Sequence, residues 1–206
     1  MSNGTKPDGG ANLLVGGGRK LKGEVDISGS KNSAVALVTA AIIADTASVL
    51  ENVPDISDIR EIITILRHLG ADVRYEDATH NTLYIDPTNL QNRNIPREFC
   101  DGFRASYYFA GSLLSKFLRA YVALPGGCDL GPRLFDQHEK AFVKLGSSWD
   151  INKGYFDLSA NALNGCHITF DKVSVGATIN AMLASVKANG LTVLENCAKE
   201  PHVVDV

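Results

Sequence analysis

The 206 residues are 45% hydrophobic and 21% charged, ordinary globular proportions that exclude a disordered or low-complexity polymer. Twenty basic residues against twenty-three acidic ones leave a formal charge of −3, so no broad basic face for nucleic acid is expected. No apolar run reaches the ~18 residues of a membrane span, and the polar stretch Met1–Asn12 reads as a flexible tail with no apolar signal-peptide core.

In chain order, the first predicted element is a strand over Glu24–Ser28. An Ala/Val/Ile-rich helix over about Asn32–Ala44 follows, apolar all round and therefore buried. After strand Ser48–Glu51, a second helix begins at Asp58, with Asp58 and Glu61 as a capping box. Ile59, Ile62, Ile63, Leu66 and Leu69 form its apolar stripe, and Gly70 supplies its stop. Strands at Asp72–Tyr75 and Leu83–Ile85 close the unit. A second unit has a helix over Ala105–Phe117, strand Tyr121–Leu124, a helix ending at Gly146, and strands Ser148–Ile151 and Tyr155–Ser159. A third has strand His167–Phe170, helix Gly176–Val186 and strand Leu191–Glu195, then turns into a helix at Pro201–Asp205.

These units have a period. Val49-Leu50-Glu51-Asn52 recurs verbatim as Val193-Leu194-Glu195-Asn196, an offset of 144, or twice 72. The helix end Leu66–Gly70 is echoed by Phe142–Gly146, and Gly23–Ile27 matches Gly165–Thr169 in kind. Three units of about 70 residues are expected, near 23–95, 96–164 and 165–206, the last without a full second helix and its final two strands.

Each unit carries a cation where its first helix begins: Lys31, Arg104 and Lys172. Helix N-termini present free N–H groups and partial positive charge, so three of them around a pseudo-threefold axis would suit a phosphate- and carboxylate-rich ligand. Taken singly, each reads better as a solvated surface cation; only their matched positions raise the ligand reading to parity. A second constellation, Leu124-Pro125-Gly126-Gly127-Cys128 through Arg133 and His138, follows a strand and reads as a loop. Its thiol is expected to be accessible, with Arg133 or His138 available to lower its pKa or orient an anion. Cys100, in a linker, and Cys166 and Cys197, at strand edges, read as packing thiols, all reduced as in the cytosol. No CxxC or HxxxH pair points to a metal, and Gly16-Gly17-Gly18 lacks the strand context of a nucleotide fingerprint.

Four stretches together resemble the enolpyruvyl transferases: Gly29-Ser30-Lys31-Asn32, Phe103-Arg104-Ala105-Ser106, the PGGC loop through Arg133 and His138, and Asp171–Thr178. The cysteine-bearing loop is similar to the branch that acts on UDP-N-acetylglucosamine and not to its shikimate-pathway sister, which stays as a weaker alternative. The resemblance implies an α/β fold of βαβαββ units around a pseudo-threefold axis, an inside-out α/β barrel. Two such domains face each other in the family, with residues 13–22 starting the other domain's sheet and 23–206 forming most of one domain. It implies transfer of the enolpyruvyl group of phosphoenolpyruvate to the 3′-hydroxyl of UDP-N-acetylglucosamine in the cytoplasm. This is the first committed step of peptidoglycan synthesis and needs no metal, organic cofactor, membrane or obligate protein partner. By the same resemblance, Cys128 is the general acid and fosfomycin target, and Lys31, Asn32 and Arg133 hold phosphoenolpyruvate. Arg104, Arg133, Leu134, Phe135, Asp136, Gln137, Lys172, Val173, Ser174 and Val175 form the nucleotide-sugar shell. The family's carboxylate base and a further arginine belong to the other domain, so an inactive nucleotide-sugar-binding module is the alternative reading.

Overall fold

The computed structural model describes residues 14–77, 81–102, 104–126 and 135–206. Its centre is three helices with almost no polar face: α1 (Lys31–Ala40), α3 (Tyr108–Phe117) and α5 (Val175–Ser185). In α3, all eight residues from Tyr108 to Ser115 are buried, which a helix tolerates only when neighbours cover it on every side. α3 packs against α5 on one side and α1 on the other. The close approach at α3–α5 needs Gly111, whose backbone N–H donates to the buried Asn180 Oδ1 at 2.9 Å; a Cβ there would lie 2.7 Å from the Asn180 carbonyl oxygen.

Second helices lie outside this centre. α2 (Ser57–Leu69) buries Ile59, Ile62, Ile63, Leu66 and Leu69 as the spacing predicts, and Ile65 as well. α4 (Asp136–Leu145) packs on α5, and the short α6 (Pro201–Val204) touches both α1 and α5. Both α2 and α4 end on a left-handed glycine, Gly70 at φ 98° and Gly146 at φ 102°, whose N–H groups turn back onto the last helical carbonyls.

Two antiparallel sheets of the same strand order flank the helices. β1 (Ser48–Leu50), β3 (Leu83–Asp86) and β2 (Asp72–Tyr75) form one, with β3 central and Val73 opposite Ile85. β4 (Arg119–Ala123), β6 (Tyr155–Ser159) and β5 (Asp150–Asn152) form the other, with β6 central. β7 (His167–Thr169) and β8 (Val193–Glu195) pair in parallel across α5, as Ile95 bridges Val122 across α3. Both copies of the repeated tetrapeptide end alike, Asn52 at φ 55° and Asn196 at φ 52°.

Three expectations are corrected. Residues 24–28 join no strand among the described residues, and Val25 and Ile27 are 87% and 90% exposed. The Asp58/Glu61 capping box does not form, because α2 opens one residue earlier, at Ser57, and Asp58 turns to Lys31 instead. The helix expected from Ala105 opens as a 3₁₀ turn, Arg104–Tyr107, before α3. Among the described residues, no helix is long and apolar enough to cross a membrane.

Gly70→Ala should cost about 1–2 kcal/mol in urea denaturation, since the new Cβ must take a positive φ and would also meet the Asn89 carbonyl oxygen at 2.8 Å. An unchanged midpoint would show that the turn relaxes.

Candidate active-site cleft at the helix starts

Because α1, α3 and α5 share one core, the starts of all three first helices open on one cleft of about 550 Å³. Lys31 and Asn32 enter it from α1, Arg104 and Tyr107 from the 3₁₀ turn before α3, and Val175 from α5. Ser30 caps α1 by accepting from Ser33 N, and Ser174 caps α5 by accepting from Ala177 N. The N–H groups just inside such helix starts have no intrahelical acceptor.

The wall is not uniformly basic. Asp58 pairs with Lys31 at 2.7 Å, and Glu200 and His202 line the cleft from the start of α6. Arg104 sits over the rings of Tyr107 and Phe135, 5.8 Å from each centroid, within cation–π range.

Beside this cleft a polar lattice joins the start of α4 to the loop after β7. Lys172 pairs with Asp136 at 2.8 Å and Lys140 with Asp171 at 2.6 Å. Gln137 donates to Asp136 and Asp171 through Nε2 and accepts from the Asp171 N–H. The lysine partner first, and Gln137 second, hold the carboxyls of Asp136 and Asp171 below the usual carboxylate range. Val173 is exposed.

Cys128, Arg133 and Leu134 lie outside the described residues. The loop that leads to them is anchored at Gly126, whose N–H donates to the Cys100 carbonyl at 2.9 Å; a Cβ there would lie 1.9 Å from the Asp101 carbonyl oxygen, so only glycine fits.

One expectation about a side chain changes. His138 is no cation able to activate a thiol: it is 7% exposed, and burial first, then Arg104, push its pKa down to about 4. Its ring sits edge-on to Tyr107 and Phe135, and neither nitrogen has a hydrogen-bond partner among the described residues. Cys100, read as a packing thiol, is fully buried, and burial raises its thiol pKa to about 11. Among the described residues, no group of three His, Cys, Asp or Glu could hold a metal ion.

Tyr107, Asp58, Glu200 and His202 escape the sequence reading. The 144-residue offset was a signal for two of them, since Asp58 and His202 stand that far apart and meet in the cleft.

The profile of EPSP synthase (3-phosphoshikimate 1-carboxyvinyltransferase) matches residues 15–206. The chain belongs to the EPSP synthase family of enolpyruvyl transferases. It is 53% identical over 194 residues to UDP-N-acetylglucosamine 1-carboxyvinyltransferase 3 of Caldanaerobacter subterraneus subsp. tengcongensis, covering 94% of this chain and 46% of that protein. It is 49% identical over 194 residues to UDP-N-acetylglucosamine 1-carboxyvinyltransferase 2 of Listeria monocytogenes, with 94% and 45% covered. The chain thus spans a little under half the length of these curated relatives. Among solved structures, the enolpyruvyl transferase NikO from Streptomyces tendae matches with a TM-score of 0.77 at 27% identity, covering 92% of this chain and 44% of that one. EPSP synthase from Acinetobacter baumannii matches with a TM-score of 0.71 at 15% identity, with 88% and 42% covered, a likeness of fold alone.

A buried neutral His138 has a sign that can be checked. Its folded pKa lies below the ordinary value of 6.5, so between about pH 6.5 and 4 the unfolded chain binds the extra proton and stability falls with falling pH. The loss should reach about 3 kcal/mol at most, and His138→Phe should flatten it. An equal slope in the variant, measured by denaturation from pH 4 to 7, would place the titration elsewhere.

Proposed function

We propose that this chain forms one wall of an enolpyruvyl-transfer site, at which the enolpyruvyl group of phosphoenolpyruvate passes to the 3′-hydroxyl of UDP-N-acetylglucosamine and phosphate leaves. What carries the reading is the meeting of Lys31, Asn32, Arg104 and Val175 from three separate helix starts in one cleft. The names and identities of the curated relatives support the choice of acceptor. On this reading the step is a cytoplasmic one of cell-wall synthesis.

Addition of the hydroxyl builds positive character at C2 of phosphoenolpyruvate while a proton arrives at its methylene carbon. Cations and helix N–H groups that hold the phosphate and carboxylate in place before reaction stabilise the charged intermediate without reorganising. In this proposal Lys31 and Arg133 hold the phosphoenolpyruvate anion, Asn32 orients the intermediate, and Cys128 delivers the proton. An unperturbed thiol, with a pKa of ~8.5, is within reach of that role. Arg104 and Lys172 hold the nucleotide sugar, with Arg133, Leu134, Phe135, Asp136, Gln137, Val173, Ser174 and Val175 around them.

The domain reading belongs to the same proposal. Residues 23–206 make three units about a pseudo-threefold axis, the third incomplete, and 13–22 lie against a facing domain. An apolar groove of about 690 Å³ between the ends of α1 and α5, lined by Ile43, Met182, Val186, Leu194 and Val206, is the seat proposed for a full second helix of the third unit. One wall binds weakly, because charge interactions at ~4 Å fall to about 1 kcal/mol in water-like surroundings. The missing general base is typically worth 10²–10⁴-fold in rate.

The purified chain should therefore release no phosphate from phosphoenolpyruvate and UDP-N-acetylglucosamine. Turnover abolished by Cys128→Ala would overturn the two-wall requirement. Iodoacetamide should label Cys128 ahead of the buried Cys100, and before Cys166, whose pKa burial also raises. Peptide mapping in which Cys128 reacts last would count against its role.

A further inference from the structure

Asp45, Lys116 and Lys187 stand at two equal steps of 71 residues, the period of the three units. Each lies where the first helix of its unit ends, away from the cleft. Asp45 is just past the 3₁₀ turn Ala41–Ile43 that continues α1, Lys116 is in the last turn of α3, and Lys187 is two residues beyond α5. The three meet: Asp45 Oδ1 lies 3.0 Å from Lys116 Nζ and 2.8 Å from Lys187 Nζ. Lys116, whose side chain is 14% exposed, also donates to the Ile43 and Ala44 carbonyls.

The two lysines suit the carbonyl ends of their own helices, whereas the helix dipole disfavours a carboxylate there. Asp45 is the misfit of the series, and its own helix gains nothing from it. Hydrogen bonds from Lys187 first, then Lys116, hold its carboxyl down to about 2. Asp45 and Lys187 also border the apolar groove between the ends of α1 and α5, so their contact crosses from the first unit to the third where the groove separates the helices.

We infer that Asp45 is the hub of a latch that ties the third unit to the first across this groove, with Lys116 of the second unit as its fixed post. Three lysines at these matched places would repel one another, and one reversed sign turns the same geometry into a closed triad. The latch is a conformational device: it couples the opening of α5 to the end of α1, whatever the cleft binds. Water reaches the Asp45 and Lys187 side chains, so the coupling is modest and sensitive to salt.

Hydrogen exchange of the 206-residue chain, read by mass spectrometry, tests it. At low salt, Asp45→Asn and Lys187→Met should each speed exchange in α5 about two- to fivefold relative to α2, which has no member in the latch. The double variant should be no faster than Asp45→Asn alone, because both changes remove the same contact. High salt should bring parent and variants together. With Lys116 and Lys187 both replaced by methionine, Asp45→Asn should reverse its effect and slow exchange at the end of α1, since only the unfavourable dipole contact is left. The same sign in both backgrounds, additive effects of Asp45→Asn and Lys187→Met, or equal acceleration of α2 and α5 would overturn the latch. Should the double-lysine background fail to fold, the Asp45–Lys187 cycle decides alone, since both side chains reach solvent.

Discussion

Helices α1, α3 and α5 have so little polar surface that each must be covered on every side, and this requirement organises the rest of the molecule. Covering α3 fully means packing it between α1 and α5, close enough at Gly111 and Asn180 for backbone and side chain to meet. Once the three helices share a core, their starts share an opening. The cleft lined by Lys31, Asn32, Arg104 and Val175 is thus a consequence of burial. At the opposite end, Lys116 Nζ donates to the Ile43 and Ala44 carbonyls, and Asp45 holds both Lys116 and Lys187. Cations on carbonyl ends suit the helix dipoles, so that end is closed by ion pairs of its own while the helix starts open on the cleft.

Charge around the opening is balanced rather than simply basic. Asp58 and Glu200 offset Lys31 and Arg104, and Asp136 offsets Lys172. A chain of net charge −3 cannot draw anions by its overall field, so any pull on an anion here is local, from helix-start N–H groups and the cations of the cleft. His138 fits this balance. Buried beneath Arg104, a second positive charge would be neither solvated nor paired, and the ring stays neutral.

Elements whose neighbours lie close in sequence were legible. The stripe of α2, its glycine stop, and strands Asp72–Tyr75 and Tyr155–Ser159 follow from period and turn chemistry alone. Residues 24–28 alternate like a strand, but a strand exists only with a partner, and alternation does not supply one. Asp58 failed as a capping residue because a lysine 27 positions earlier competes for its carboxylate, a contact no local window contains. Cys100 read as a packing thiol, and after a short 3₁₀ turn, Arg97–Phe99, it is indeed in the core. Of the site, Lys31 and Arg104 were readable from their period, whereas Lys172, the third cation of that series, pairs with Asp136 and does not line the cleft. Tyr107, Glu200 and His202 were not, since only the packing of α1, α3 and α6 brings them together.

Fold and substrate are separable in this family. EPSP synthase from Acinetobacter baumannii keeps the architecture at 15% identity, so the three-helix core cannot be what selects an acceptor. Selection has to reside in side chains laid over that core. The polar lattice of Lys172, Asp136, Gln137 and Asp171 lies outside that core and links the start of α4 to the loop before α5. Because it ties together elements from two successive units, altering one member shifts donors on both. Polar contacts of this kind can be exchanged while the helices beneath them stay in place.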